Sequence, residues 1–103
     1  MNETSWYQRV LSYRKPNGRA LSPACCAIAE VLERHPDGWT EGNIALAKAI
    51  NAGNHDKDEA WKAQWISRLL KPMKDAGLIY TVATPRRADP NIIVPNMREE
   101  ERP

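Results

Sequence analysis

The side chains best suited to chemistry lie in residues 58–80, DEAWKAQWISRLLKPMKDAGLIY. Because an α-helix turns by about 100° per residue, residues three or four positions apart share one face. In a helix over residues 58–76, one face is polar and mostly cationic, with Gln64, Arg68, Lys71 and Asp75. The opposite face is mostly apolar, with Glu59, Lys62, Ile66, Leu69, Leu70 and Met73. Such a helix buries one stripe and can present its charged face to a polyanion.

Charge is unevenly distributed along the chain. Its 103 residues, 27% of them charged with a formal net charge of +2, are typical of one ordinary soluble domain. Residues 60–87 contain six cations and one acid, and residues 9–19 contain four cations and no acid. The acids gather in residues 30–59 and 99–101. This asymmetry suits a surface that meets a polyanion, although a solvated helix face accounts for the charges equally well.

The residue types that carry catalysis or bind metals are scattered. His35 and His55 have no cysteine or carboxylate at a spacing that suggests zinc. Asp56, Asp58 and Glu59 are placed as carboxylates that the helix dipole favours at the start of a helix. The sequence has no glycine-rich phosphate loop, nucleophile elbow or serine–histidine pairing. We therefore expect no enzyme, no cofactor and no metal site.

The two cysteines, Cys25 and Cys26, are adjacent. Neighbouring side chains on a helix point about 100° apart, so neither a disulfide between them nor a metal pair is expected. They are typical of small buried residues in a reducing compartment. No signal peptide, lipidation motif or apolar run of membrane length occurs in the sequence. These features predict a cytoplasmic protein.

Three shorter helices are predicted before the long one, within residues 1–14, over residues 23–34 and over residues 43–52. Thr4 or Ser5 caps the first of them. Ser22 is a suitable N-cap for the second, and Pro23 is favoured at its first helical position. Residues 39–40, between the second and third helices, are expected to form a very short extended piece.

A β-hairpin is predicted after the long helix. Gly77 ends that helix, because glycine readily takes the left-handed conformation that follows a helix. Residues 78–83 are rich in β-branched and aromatic types and predict a strand. Residues 92–94 predict the returning strand, and a short loop over 84–91 makes the pairing antiparallel. The charged tail over 97–103 is expected to be flexible.

The periodicities predict one hydrophobic core. Its expected members are Ile28, Leu32, Ile44, Ala47, Ile50, Ile66, Leu69, Leu70, Met73, Leu78 and Ile93. The fold class is therefore mainly α with a small β-hairpin. Residues 21–96 form the domain, preceded by an N-terminal helix and linker over residues 1–20.

Three short motifs stand at corresponding places along the chain: IALAKAI at 44–50, ISRLLK at 66–71 and GLI at 77–79. Together with the order helix, short strand, helix, helix and hairpin, they resemble the winged helix-turn-helix superfamily. The first looks like its first motif helix, the second like its recognition helix, and the third resembles the step into the wing. The resemblance covers residues 21–95 and leaves the N-terminal helix as an extra element.

In relatives of this kind the recognition helix enters the major groove, and the wing reaches a phosphate backbone or the minor groove. The resemblance thus implies DNA-binding roles for Gln64, Ser67, Arg68 and Lys71 on helix 58–76, and for Arg86 and Arg87 in the 84–91 wing. Glutamine and arginine can pair bidentately with adenine and guanine edges, and cations neutralise phosphates. We expect a sequence-specific binder of double-stranded DNA, a small transcriptional regulator or an accessory factor of a phage or mobile element.

The alternative is a winged helix that docks a protein. Trp61 and Trp65 flank the polar face of the long helix, and Trp6, Tyr7 and Val10 crowd the first helix. Tryptophan and tyrosine are frequent anchors of protein interfaces. Because so short a helix cannot leave these aromatics in water, a homodimer through the N-terminal segment is expected. The competing arrangement folds that segment onto the tryptophan flank of the same chain.

Overall fold

The computed structural model describes residues 5–50, 59–86 and 91–101, and the side chains of residues 59–61 lie outside that description. The described residues form four α-helices, Trp6–Ser12 (α1), Pro23–Glu33 (α2), Gly42–Ile50 (α3) and Glu59–Asp75 (α4). A hairpin of Ile79–Val82 (β1) and Ile92–Pro95 (β2) follows, and then one 3₁₀ turn, Glu99–Glu101. The predicted fold class, mainly α with a small antiparallel hairpin, is confirmed. No helix in these ranges combines the length and the apolarity needed to cross a bilayer.

Serine hydroxyls cap the N-termini of the first two helices, as the sequence predicts. The Ser5 hydroxyl accepts from the Gln8 amide at 3.1 Å at the start of α1. The Ser22 hydroxyl accepts from the Cys25 amide at 3.3 Å, and Pro23 occupies the first turn of α2. Each bond satisfies an amide that has no partner inside the helix. The predicted cap of the long helix, Asp58, lies outside the described residues.

The end of α4 is built by Gly77. Its φ of +74° is left-handed, a conformation that glycine adopts without the cost a side chain adds. The Leu78 amide donates to the Met73 carbonyl at 3.0 Å, and the Gly77 amide donates to the Lys74 carbonyl at 2.9 Å. This pair of bonds is a Schellman motif, which caps the last carbonyls of the helix. One residue then separates the motif glycine from β1.

The hairpin has the antiparallel pairing predicted from its two apolar segments. Tyr80 pairs with Val94 and Val82 with Ile92, so these four side chains share one face. Trp39 adds a one-residue bridge on the other side of β2: its amide donates to the Ile93 carbonyl at 2.7 Å, and the Ile93 amide donates to the Trp39 carbonyl at 3.1 Å. The predicted extended piece between α2 and α3 is therefore fastened to the hairpin, which gives the molecule a winged-helix-like arrangement.

Most of the predicted core is buried. Ile28, Leu32, Ala47, Ile66, Leu70, Met73, Leu78 and Ile93 are all less than 9% exposed. Ile44, Ile50 and Leu69 are half-buried instead. In α3 the buried residues are Gly42, Leu46 and Ala47, so Ala47 is confirmed and the buried side is rotated toward Leu46 relative to the prediction. The reason is that α3 packs against both α2 and α4, which favours the side that carries Leu46.

The two ends of the described chain are part of this core. Trp6 is 1% exposed and Val10 is fully buried, because α1 packs against α2. The Trp6 indole N–H also donates to the Leu78 carbonyl at 2.8 Å, which satisfies its one polar atom. Met97 is only 7% exposed, so the structure differs from the expected flexible tail over residues 97–101.

An ion pair ties the 3₁₀ turn to α1. Arg9 donates to Glu101 from Nε at 2.9 Å and from Nη2 at 2.8 Å, and to the Asn96 carbonyl at 2.7 Å. The Glu101 side chain is 2% exposed and that of Arg9 is 22% exposed. The hydrogen bond from Arg9 lowers the pKa of Glu101 below its ordinary value, against the opposing effect of burial. The charge of Glu101 thus fastens the C-terminal 3₁₀ turn to α1.

Candidate nucleic-acid interface

Helix α4 divides into a buried side and an exposed side, as its periodicity predicts. Ile66, Leu70 and Met73 are each at most 3% exposed and pack into the core. Four predicted DNA-binding residues lie exposed on the remaining surface: Gln64, Ser67, Arg68 and Lys71. The structure therefore brings these four side chains together on one helix. Lys62 is 8% exposed and belongs to the buried side, where the helical spacing places it.

Few contacts restrain the exposed side of α4. The Lys71 amino group pairs with the Asp75 carboxylate at 3.3 Å, with both side chains largely in solvent. Such a pair contributes about 0–1 kcal/mol, so it leaves Lys71 free to exchange partners. Among the described residues none makes a hydrogen bond or ion pair with the side chains of Gln64 or Arg68. Their donors are available to a ligand.

The hairpin loop supplies one further cation to the described surface. Arg86 is exposed, and its carbonyl accepts from the Thr84 hydroxyl at 2.9 Å, which shapes the start of the loop. Arg87, the other arginine predicted for the wing, lies outside the described residues. The loop follows β1, which leaves α4 through the Gly77 motif, so the loop and α4 belong to one continuous unit.

A groove of about 270 Å³ lies where α4, α3 and the hairpin meet. It is lined by Asn43, Ser67, Leu70, Lys74, Thr81, Asn91 and Ile93. Ser67 is the one member predicted as a DNA-binding residue. The sequence analysis missed Lys74 as a site residue, although it follows Ser67 by seven positions and so lies near it on the helix. Asn43 and Thr81 reach the groove only through tertiary packing.

The aromatic residues predicted as a protein interface have different positions. Trp6 and Val10 are buried in the chain's own core, and their role at a protein interface stays a prediction. The α1 surface that suggested a homodimer is thus partly covered within the chain, with Leu11 left 43% exposed. The homodimer stays a prediction. Tyr7 and Trp65 are half-buried and pack against the core. The side chain of Trp61 lies outside the described residues.

The cysteines do not form a reactive site. Both are free thiols, and Cys25 is buried with Sγ 3.3 Å from the Leu69 carbonyl. Burial, with a smaller contribution from Cys25, raises the pKa of the Cys26 thiol. A raised pKa disfavours the thiolate, which is the nucleophilic form. Nor do three histidine, cysteine or acidic side chains meet as a metal cluster anywhere in the described ranges.

Comparison of the chain with protein-family models, with curated proteins and with solved structures finds no match. We therefore infer the function from the residues and the geometry described above.

Proposed function

We propose that the chain binds double-stranded DNA in a sequence-specific manner, with α4 in the major groove and the 84–91 loop on the adjacent backbone or minor groove. In this proposal it acts as a small transcriptional regulator or as an accessory factor of a phage or mobile element. The supporting observation is the exposed side of α4. There Gln64, Ser67, Arg68 and Lys71 project from one rigid helix whose other side is fixed in the core.

The dimensions of α4 suit a DNA groove. At 1.5 Å per residue, the seven steps from Gln64 to Lys71 span about 10 Å, or roughly three base-pair steps of 3.4 Å. A major groove about 12 Å wide admits an α-helix. Gln64 and Arg68 have the donor and acceptor geometry to read base edges, whereas Lys71 and Arg86 are suited to phosphates. Base readers and phosphate binders thus occur on the same surface.

A salt series tests this proposal. The full chain is titrated with random duplex DNA between 50 and 200 mM salt, and preferred duplexes are selected from a random library in parallel. We expect log Kobs to fall linearly with log[salt], because each neutralised phosphate contributes a slope of about −0.9. We also expect the selected duplex to bind more tightly than the random one. Salt-independent binding, or no preferred sequence after selection, would contradict sequence-specific DNA binding.

A protein-docking winged helix is the second candidate, supported by a different observation. Tyr80 and Val82 are 44% and 42% exposed on the face of the hairpin that they share with Val94 and Ile92. Exposed apolar side chains of this size occur at protein contacts, as well as singly on ordinary surfaces. The free cations of α4 favour DNA over this candidate. The same salt series separates the two, since docking through Tyr80 and Val82 predicts no duplex binding.

A further inference from the structure

The groove between α4 and the hairpin has the lining of an anion site. Its polar side chains are two hydroxyls, two carboxamides and one ammonium group, from Ser67, Thr81, Asn43, Asn91 and Lys74. None of the described residues that line it carries a carboxylate. Each of these groups can donate a hydrogen bond, and the ammonium can donate three. An anion with several acceptor oxygens is the ligand that such a lining recognises.

The groove is also held in shape by the fold. Its apolar floor consists of Leu70 and Ile93, which are 3% and 2% exposed and belong to the core. The Asn43 amide nitrogen lies 3.5 Å from the Ala63 carbonyl of α4, which directs this side chain along the helix. Because this floor is part of the core, it loses little conformational entropy when a ligand binds.

Lys74 is the cation available in this groove. It is exposed, and no described carboxylate lies within ion-pair distance of its amino group. Lys71, one turn earlier on α4, differs because its amino group already pairs with Asp75 at 3.3 Å. Among the described residues that line the groove, Lys74 is the ammonium that a ligand anion meets.

The volume of the groove and the donors that line it restrict the class of ligand. A volume of about 270 Å³ lies just below the range of roughly 300–1,000 Å³ that is usual for organic ligands, so the groove suits a small group. A phosphate group has a full negative charge and several acceptor oxygens. It can accept from hydroxyl, carboxamide and ammonium donors at the same time.

We propose that this groove holds one phosphate of the DNA backbone, an inference that depends on the proposed function. The backbone is the strand of sugar and phosphate that separates the major groove from the minor groove. If α4 lies in the major groove and the hairpin loop reaches over the adjacent backbone, that strand crosses between α4 and the hairpin. The groove lined by Ser67, Lys74 and Thr81 lies at that crossing. It fixes the register of the helix on the duplex without reading a base.

The first test is the exchange of Lys74→Gln, with Arg34→Gln as the matched control. Arg34 is also an exposed cation at a helix end, but it lies on α2 and its side chain is 74% exposed beside Glu30. We expect Lys74→Gln to reduce the salt slope of duplex binding by about one, equally on random and preferred DNA. The melting temperature should not change, and Arg34→Gln should retain the slope of the wild type.

The second test locates the phosphate. Duplexes of the preferred sequence are made with one neutral methylphosphonate at each backbone position in turn. One position should weaken the wild type yet have no further effect on Lys74→Gln, and Thr81→Val should show the same coupling at that position. If Lys74→Gln keeps the wild-type slope while Arg68→Ala loses preference, the groove inference is wrong and DNA binding stands.

Two other outcomes overturn the inference in different ways. If the wild type binds no duplex, both the groove inference and the proposed function are wrong. The third measurement is a titration with inorganic phosphate, at an ionic strength matched with chloride. It follows the NMR signals of the side-chain amides of Asn43 and Asn91. If phosphate shifts those signals while Lys74→Gln leaves duplex binding unchanged, the groove binds free phosphate and not the backbone.

Discussion

Two arginines, one on α1 and one on α4, show two uses of the same side chain. Arg9 makes three hydrogen bonds, two to Glu101 and one to the Asn96 carbonyl. Arg68 is exposed, and no described residue accepts a hydrogen bond from it. A guanidinium that is already bidentate with a carboxylate has little left for a ligand, whereas a solvated one keeps its full donor set.

This comparison changes the interpretation of the charge pattern. The four cations in residues 9–19 look like part of a basic surface when only the sequence is considered. Arg9 is neutralised by Glu101, and the Arg14 guanidinium donates to the Leu11 and Tyr13 carbonyls at 3.1 and 3.0 Å. Arg9 therefore contributes to the structure and not to a basic surface, whereas Gln64, Arg68 and Arg86 keep their donors exposed on α4 and the start of the hairpin loop.

The largest expected effect is on stability, and it tests the structural role of α1. Trp6→Ala removes a side chain that is 1% exposed, together with the indole hydrogen bond to the Leu78 carbonyl, which then accepts only from the Asn96 amide at 2.8 Å. We expect it to lower the free energy of unfolding by about 3–5 kcal/mol, measured by urea denaturation. Leu11→Ala, on the exposed side of the same helix, should change that free energy by less than about 0.5 kcal/mol. A stable Trp6→Ala variant would show that α1 is dispensable.

The ion pair of the same region should depend on pH. Because Arg9 lowers the pKa of Glu101 from its ordinary value of 4.5, folding favours the ionised carboxylate. The stabilisation is complete above that ordinary value and is lost as the pH falls through the lowered pKa. At pH 7 we expect Glu101→Gln to cost about 1.5–3 kcal/mol in urea denaturation, the size of a hydrogen bond to a charged group.

The difference between wild type and Glu101→Gln should therefore shrink as the pH decreases below 4.5. Glu99→Gln is the matched control, since it removes an exposed carboxylate from the same turn. A Glu101→Gln variant with the same stability loss at every pH would assign the effect to packing and not to charge.

Substitutions on the exposed side of α4 are expected to change DNA specificity and not stability. Arg68→Ala and Gln64→Ala should each reduce the preference for the selected duplex over random DNA by about 1–3 kcal/mol. Their free energies of unfolding should stay within about 0.5 kcal/mol of the wild type, because both side chains are exposed. Competition binding on the two duplexes measures the first quantity. An equal loss on both duplexes would mean that these residues only position the protein.

The smallest expected effect is at the hairpin loop. Arg86→Ala should reduce the salt slope by about one without changing the preference between duplexes, because a phosphate contact carries no sequence information. Arg19→Ala removes an equally exposed cation from the turn before α2 and is the matched control. If Arg86→Ala shifts the preferred sequence instead, the loop reads bases in the minor groove.

Local signals were sufficient for much of the fold. Ser22 with Pro23 predicted the start of α2, Gly77 predicted the end of α4, and the periodicity of residues 58–76 predicted the buried side of α4, because caps and stripes act within a few residues. In α3 the same method found Ala47 in the core but missed Leu46 as its most buried neighbour. Its nine residues, GNIALAKAI, have apolar side chains on nearly every side, so packing by α2 and α4 decides which side is buried.

Longer-range features could not be predicted in this way. Met97 and Glu101 lie in a charged stretch whose composition predicts exposure to solvent. The partner of Glu101, Arg9, is 92 residues away in the sequence. Periodicity predicted which side of α4 is exposed, and the resemblance to winged helices supplied the four candidate residues on it. The groove could not, because Thr81 and Asn91 approach Lys74 only once the hairpin has packed beside α4. Contacts between residues far apart in the sequence therefore have to be read from the folded structure.

The bond between Trp6 and Leu78 has a consequence for synthesis on the ribosome. The two residues are 72 positions apart, which corresponds to about 4–14 s of translation at roughly 5–20 residues per second. Helices form in about a microsecond or less. The segment that becomes α1 therefore waits for seconds before its core is complete, and a nascent chain halted before Leu78 should be a preferred target of chaperones that bind apolar segments.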